Sequence, residues 1–329
     1  MRLDDFKAVI RDLATEHGMS EKAKQHLMLS IQKLADEKIN ILVTGATGCG
    51  KSSTINALFG ENVAKVGQGV DPETMDIKKF ELNNIILWDS PGLGDGKEAD
   101  RRHSKNIINK LYEKDKDGNA LIDLVLVILD GSSRDLGTSF ELINQVIIPN
   151  LGEDTNRLLV AINQCDMAMK GRYWDHEKNK PENKLVEFLD EKVESTRKRI
   201  HEATGVNVEP IYYSAGYKDG DEEQQPYNLS KLFMFIVNST KPKKRAVYIN
   251  DMNIDKKVWE HDDKLQDYQK EVQQSFIDSI RESAQTGGEI GEEIGSLLGS
   301  GGRAVGRVIG TVVGGAVGVV KSFFSGLFG

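Results

Sequence analysis

Two cysteines, Cys49 and Cys165, are all that 329 residues contain. They cannot build a disulfide framework, and both sit among polar motif residues that give a structural zinc site no support. A long apolar run is also missing. In the hydrophobic C-terminal end, Val308 to Val320 is 13 uncharged residues. As a helix that is roughly 20 Å, short of the ~30 Å needed to span a bilayer. The opening residues MRLDDFKAVI lack the apolar stretch and small-residue cleavage site of a signal peptide. The expected location is therefore cytoplasmic, with attachment at a membrane periphery left open. Positive charge is in deficit: 43 basic against 51 acidic residues leave a formal net charge of −8. Nonspecific nucleic-acid binding is disfavoured as the main task, though a local basic patch is not excluded.

What is present is enough for a substantial core. The chain is 39% hydrophobic and 29% charged, outside the range of wholesale disorder. Residues 1–37 read as helix: Leu3, Phe6, Ile10 and Leu13 repeat at three to four residues, then Leu27, Ile31 and Leu34 after Gly18. From 38 to 240 strands and helices alternate. Expected strands are Asp76–Leu82, Ile85–Trp88, Leu121–Leu129, Arg157–Ile162 and Glu209–Tyr213, with Ile39–Val43 before them. Expected helices are Ser52–Phe59, Asp100–Tyr112, Thr138–Ile148, Pro181–Glu202 and Leu229–Asn238. The nearly continuous Leu, Val and Ile of 121–129 and 157–162 suit strands covered on both faces. Alternation of this kind predicts a mainly parallel α/β sheet, with Asn83-Asn84 turning an antiparallel edge hairpin.

Lys241-Pro-Lys-Lys-Arg245 reads as a solvated basic linker, with a nuclear-targeting or anionic-lipid contact as the sharper alternative. The following 252–285 is helix-prone, with Val258, Leu265, Val272, Phe276 and Ile280 as its apolar positions. His176 and Trp174 fall in a polar loop and are expected at the surface. Arg101-Arg102-His103 reads as a solvated helix start or as a contact to a partner or phosphate. Arg134, after the strand ending at Asp130, is a speculative group for a nucleotide-facing dimer.

Gly45-Ala-Thr-Gly-Cys-Gly-Lys51-Ser52 satisfies G-x-x-x-x-G-K-[ST], entered by a β-rich run and left by a helix. The spacing has a chemical reason. Glycines let backbone amides curve into a nest for a β-phosphate, and the helix N-terminus adds free N–H groups. Lys51 reaches the β- and γ-phosphates and the Ser52 hydroxyl suits Mg²⁺. Asp89 ends the apolar run Ile85–Trp88, placed to hold Mg²⁺ through water. Gly92 offers a backbone N–H where a γ-phosphate is sensed.

With Asp89-Ser-Pro-Gly92, Asn163-Gln-Cys-Asp166 and Ser214-Ala215-Gly216 following in order, the chain resembles the P-loop GTPases, specifically the Era/TrmE-like branch, over about 38–240. The resemblance implies an α/β P-loop NTPase G domain with a mixed, mainly parallel sheet and flanking N- and C-terminal helical segments. It implies GTP or GDP with Mg²⁺ as ligands. Nucleotide contacts fall on Gly45, Thr47, Gly48, Cys49, Gly50, Lys51, Ser52, Ser53, Asn163, Asp166, Ser214, Ala215 and Gly216. Thr74, in Asp71-Pro-Glu-Thr74, would be the switch threonine on Mg²⁺ and γ-phosphate, joining Lys51 and Gly92 as catalytic. Asp166 would take guanine N1–H and the 2-amino group, and the Ala215 N–H would meet guanine O6. Two positions depart from the pattern. Gln164 replaces the usual lysine, and Leu93 cannot orient a water, which implies slow turnover unless dimerisation or a partner assists.

Fourteen of the 32 glycines lie between Thr286 and Gly329. Gly287, Gly291, Gly295 and Gly299, then Gly302, Gly306, Gly310, Gly314 and Gly318, step by four and would leave a bare helix stripe. Membrane association, intramolecular helix packing and a flexible tail all remain open. The organisation is then 1–37 helical, 38–240 G domain, 241–285 linker and helical segment, and 286–329 tail. Helices flanking a G domain resemble the immunity-related and dynamin-like GTPases. The leading expectation is a GTP-hydrolysing switch, coupled to a membrane, a helical partner or a homodimer through the G domain. The rivals are an RNA- or ribosome-associated assembly GTPase and an interaction module with negligible hydrolysis.

Overall fold

The computed structural model describes residues 36–60, 63, 77–94, 96–219, 222–285, 318 and 320–328, with residues 11, 12, 15 and 25 isolated before them. The expected N-terminal helices, Thr74 and nearly all of the stepped glycines lie outside the described residues.

Six strands form the main sheet: β1 (Ile39–Gly45), β2 (Lys78–Glu81), β3 (Ile85–Asp89), β4 (Leu124–Asp130), β5 (Leu158–Asn163) and β6 (Ile211–Tyr212). Their spatial order is β2-β3-β1-β4-β5-β6, with only the β2–β3 pair antiparallel. The central strands are apolar on both faces because both are covered. Along β1 and β4, Ile41, Val43, Leu124, Leu126 and Ile128 enter one core, while Leu42, Val125, Val127 and Leu129 enter the other. That is the two-residue period of a strand read twice. The first core is closed by α1 (Lys51–Phe59), α5 (Leu229–Ser239) and α6 (Tyr268–Gln285). The second is closed by α2 (Lys97–Tyr112), α3 (Gly137–Glu141) and α4 (Asn183–Thr204).

Several expectations change. The single helix over 138–148 is α3 followed by a π-helical turn, Leu142–Ile147, and a 3-10 turn at Ile148–Asn150 that contains Pro149. The basic segment is packed rather than solvated. It forms a 3-10 helix, Pro242–Asn250, in which the Lys244 ammonium meets Asp123 at 2.9 Å and donates to the Lys38 carbonyl at 2.8 Å. Asp251 then accepts from the backbone N–H groups of Asn83, Asn84 and Ile85, which holds the β2–β3 turn. Helix spans only 268–285 of the segment expected from 252, and Leu265 is 78% exposed rather than apolar-facing. Side-chain oxygens of Asn253, Asp255 and Asp263 each accept a backbone N–H two residues on, which competes with helix. Trp174 is buried, edge-on to Tyr227 at 5.4 Å, because the ribbon pairing Trp174–Asp175 with Lys180–Pro181 folds it inward.

The end of the chain joins the first core. Val320, Phe324 and Leu327 are buried there, with Phe324 5.2 Å from Phe276 and Phe328 6.1 Å from Trp259 between ring centroids. Lys321, Ser322, Ser325 and Gly326 face outward. This stretch therefore packs within the protein. No helix among the described residues is long and apolar enough to cross a membrane.

Candidate nucleotide-binding site

The carboxyl ends of β1, β3, β4, β5 and β6 point to one edge of the sheet, and the motif loops meet there. After β1 the backbone passes through Ala46–Cys49 and turns into α1 at Gly50. The φ of Gly50 is +88°, and a Cβ there would strike the Asn163 side chain, so glycine is needed for both reasons. Ser52 and Ser53 lie half-buried in the first turn of α1. The Lys51 ammonium folds back on its own loop, donating to the Gly45 and Ala46 carbonyls at 3.3 and 3.1 Å. Cys49 is fully buried, and burial pushes its thiol up, away from reactivity.

The segment after β3 runs alongside this loop. The Thr47 N–H donates to the Leu93 carbonyl, and the Leu93 N–H to the Gly45 carbonyl. Gly92 lies so close to Thr47 that any Cβ would overlap it. Leu93 itself is 5% exposed and belongs to the second core. Asp89 is held high in pKa chiefly by burial, against the nearby Lys51 and Lys78 charges, and its Oδ1 is buried without a hydrogen-bond partner. A buried carboxylate oxygen with nothing to accept, near the Lys51 charge at the sheet edge where Ser52 also sits in the first turn of α1, fits a divalent cation or its water shell. No metal cluster of three or more His, Cys, Asp or Glu side chains occurs among the described residues. A cation here would thus depend on this carboxylate, the Ser52 hydroxyl, water and phosphate.

Asn163 ties the edge together. It is 2% exposed. Its Nδ2 donates to the Cys49 carbonyl at 2.9 Å, and its Oδ1 accepts the Ala215 N–H at 2.9 Å. One amide therefore spans the P-loop and the loop after β6. Gln164, where a lysine was expected, has φ +57° and donates from Nε2 to the Gly48 carbonyl at 3.0 Å. Its head group secures the P-loop instead of lying free. Asp166 is 7% exposed, and its Oδ1 is likewise buried and unpartnered. The Ser214 backbone pairs in both directions with Tyr227, and Gly216 donates its N–H to the Ser214 hydroxyl. The structure so assembles Gly45–Ser53, Asp89, Gly92, Asn163, Asp166 and Ser214–Gly216 along one edge of the sheet.

Two side chains had no clear signal in the sequence. Lys192 of α4 donates to the Gly131 and Ser133 carbonyls at 2.7 Å each, bracing the loop after β4. Burial lowers its pKa. His103 is 3% exposed, not a solvated helix start, and its Nδ1 lies 3.1 Å from the Gly92 carbonyl. Arg101, Arg102 and Arg134 are exposed. A lone histidine on a charged helix carries no periodicity that would have revealed its burial.

Residues 40–164 match the family model of the 50S ribosome-binding GTPases. The chain is 34% identical over 85 residues to interferon-gamma-inducible GTPase 10 of Mus musculus, covering 24% of this chain and 20% of that protein. It is 30% identical over 104 residues to the probable GTP-binding protein EngB of Methanococcus maripaludis, covering 31% and 44%. The matched part is thus less than half the length of either relative. Among solved structures, one described as "Dimerization is important for the GTPase activity of chloroplast translocon components atToc33 and psToc159" superposes with a TM-score of 0.46. It is 17% identical and covers 66% of this chain and 90% of that one. The sheet order, the loops at its carboxyl edge and the family match make the fold an α/β P-loop GTPase G domain with flanking helices.

Proposed function

We propose that this chain binds GTP and GDP with Mg²⁺ and hydrolyses GTP to GDP and phosphate. The observation that carries the reading is the buried, unpartnered carboxylate oxygen of Asp166, set beside the loop that Asn163 fastens to the P-loop. A buried acceptor of this kind is costly alone and is relieved by a ligand that presents N–H groups, as guanine does at N1 and the 2-amino position. Adenine offers no matching pair, so the same oxygen rejects ATP. The Ala215 N–H, expected on guanine O6, is given to Asn163 Oδ1 here, so it reaches O6 only by leaving that bond.

The phosphate end follows from the same edge. The amides of Gly48–Ser53 cradle the β-phosphate, and Lys51 turns from its loop carbonyls to the β- and γ-phosphates. Ser52 and Asp89 would hold Mg²⁺, which would supply neutralisation of phosphate charge in the displacement. Gly92 N–H senses the γ-phosphate, and the switch role falls to Thr74, outside the described residues. Water adds to the γ-phosphorus as the bond to the β–γ bridging oxygen breaks. Burial of Leu93 leaves no side chain at that position to orient the water, so intrinsic turnover is slow, and a second copy or another partner accelerates it. Exposed Arg134, in the loop after β4, is a candidate group for such a contact. Residues 320–328 pack into the core, so a link from nucleotide state to a membrane or a helical partner would fall to the part of the tail before them, outside the described residues. Flotation of the full chain with liposomes in GDP and in a non-hydrolysable GTP analogue tests that link. Equal absence from liposomes in both states removes the membrane part.

The test of the nucleotide reading is Asp166→Asn. Asparagine presents a donor where guanine also donates, so GTP affinity falls while xanthosine triphosphate, with an oxygen at position 2, gains. An unchanged GTP preference defeats the assignment. The second reading, a nucleotide-regulated interaction module with negligible hydrolysis, is favoured by the burial of Leu93 alone. Single-turnover assays at several protein concentrations separate the two.

A further inference from the structure

The Gly92–Leu93 peptide is held from two sides. Its N–H, on Leu93, donates to the Gly45 carbonyl at the end of β1. Its carbonyl, on Gly92, faces Nδ1 of His103 at 3.1 Å. A carbonyl only accepts, so Nδ1 carries the proton. In front, Thr47 leaves no room for even a methyl group on Gly92. Behind, His103 sits 3% exposed on α2. A second tether from the same helix, Asp100 Oδ1 accepting the Gly94 N–H at 2.8 Å, fixes the loop two residues on.

We propose that His103 is a positioning residue: by clamping the Gly92–Leu93 peptide it fixes the pivot about which the Gly92 N–H turns toward a γ-phosphate, and it links that contact to α2. This rests on the proposed GTP-binding function. With the peptide on its C-terminal side held, Gly92 presents its N–H by rotation about its own φ and ψ alone. Without His103 that peptide keeps only the Leu93 N–H bond to the Gly45 carbonyl, its carbonyl end is released, and more of the Gly92 N–H orientation must be ordered at the moment of binding. GDP has no γ-phosphate and does not use this contact, so the effect is confined to the triphosphate.

The test titrates the full chain with GDP and with a non-hydrolysable GTP analogue in Mg²⁺. In His103→Leu, affinity for the analogue falls about five- to tenfold, the scale of one lost hydrogen bond, while GDP affinity stays within about twofold. His103→Asn, whose Nδ2–H stands in for the imidazole Nδ1–H, recovers analogue affinity to within about twofold. Equal loss for both nucleotides, no loss, or no recovery in His103→Asn overturns the inference. Should His103→Leu fail to fold, ¹⁵N spectra of the wild-type imidazole decide: a ring protonated at Nδ1 supports the clamp, and one protonated only at Nε2 overturns it. Wild type that binds neither nucleotide defeats the proposed function and this inference together. Wild type that binds both, with an unselective His103→Leu, defeats this inference alone.

Discussion

Replacing Asn163 by alanine is the sharpest structural perturbation of the site. The side chain is 2% exposed and makes one bond as donor, to the Cys49 carbonyl, and one as acceptor, from the Ala215 N–H. Asn163→Ala leaves both backbone groups buried without a partner. Each orphan costs about 1–3 kcal/mol, so the two together give roughly 3 kcal/mol. With a denaturant slope near ~3 kcal/mol/M for a domain of this size, the urea midpoint of the nucleotide-free protein drops by about 1 M. Asn163→Asp separates the two bonds. It keeps an acceptor for Ala215 but turns an oxygen toward the Cys49 carbonyl, so it recovers at most the Ala215 share of the loss. A midpoint within ~0.2 M of wild type for Asn163→Ala would refute the reasoning.

Other substitutions test other parts. Asp89→Asn removes a buried carboxylate whose charged form is disfavoured by burial, so the nucleotide-free protein melts higher while Mg²⁺-dependent hydrolysis is lost; calorimetry and phosphate release read the two effects, and a lower melting temperature contradicts the assignment. Leu93→Ala destabilises by about 2–5 kcal/mol in chemical denaturation, since Leu93 is a core residue; a neutral result would place it outside the core. Phe324→Ser costs about 3–5 kcal/mol and raises hydrogen exchange in α6, because Phe324 stacks against Phe276; wild-type stability would mean that the chain's end does not belong to the core.

The central sheet was readable because its strands follow simple rules. Apolar residues on both faces of β1, β4 and β5 mark two-sided burial, and glycine spacing between β1 and α1 marks the phosphate loop. The motif residues were readable for the same reason: each is local in sequence. Contacts that join distant segments were not. Lys244 reaches Asp123 across 121 positions, and Asp251 reaches the Asn83-Asn84 turn across nearly 170. Both turned a stretch that reads as polar linker into part of the fold. Trp174 misled because its neighbours are charged, while its burial depends on Tyr227 in another segment. Gln164 reads as a lost cation, yet its amide supplies a hydrogen bond to the P-loop. In 252–267, helical spacing of apolar residues was outcompeted by Asn and Asp side chains that bond to nearby backbone, a choice propensity alone does not decide.

Direct titration of the full chain with GTP, GDP and ATP in the presence of Mg²⁺ bears most closely on the whole account. The unpartnered Asp166 oxygen and the cradle around Gly48–Ser53 predict micromolar or tighter binding of GTP and GDP. ATP should bind at least about a hundredfold more weakly, since its base leaves that oxygen unsatisfied. Equal affinity for ATP and GTP, or no binding of either, contradicts the account.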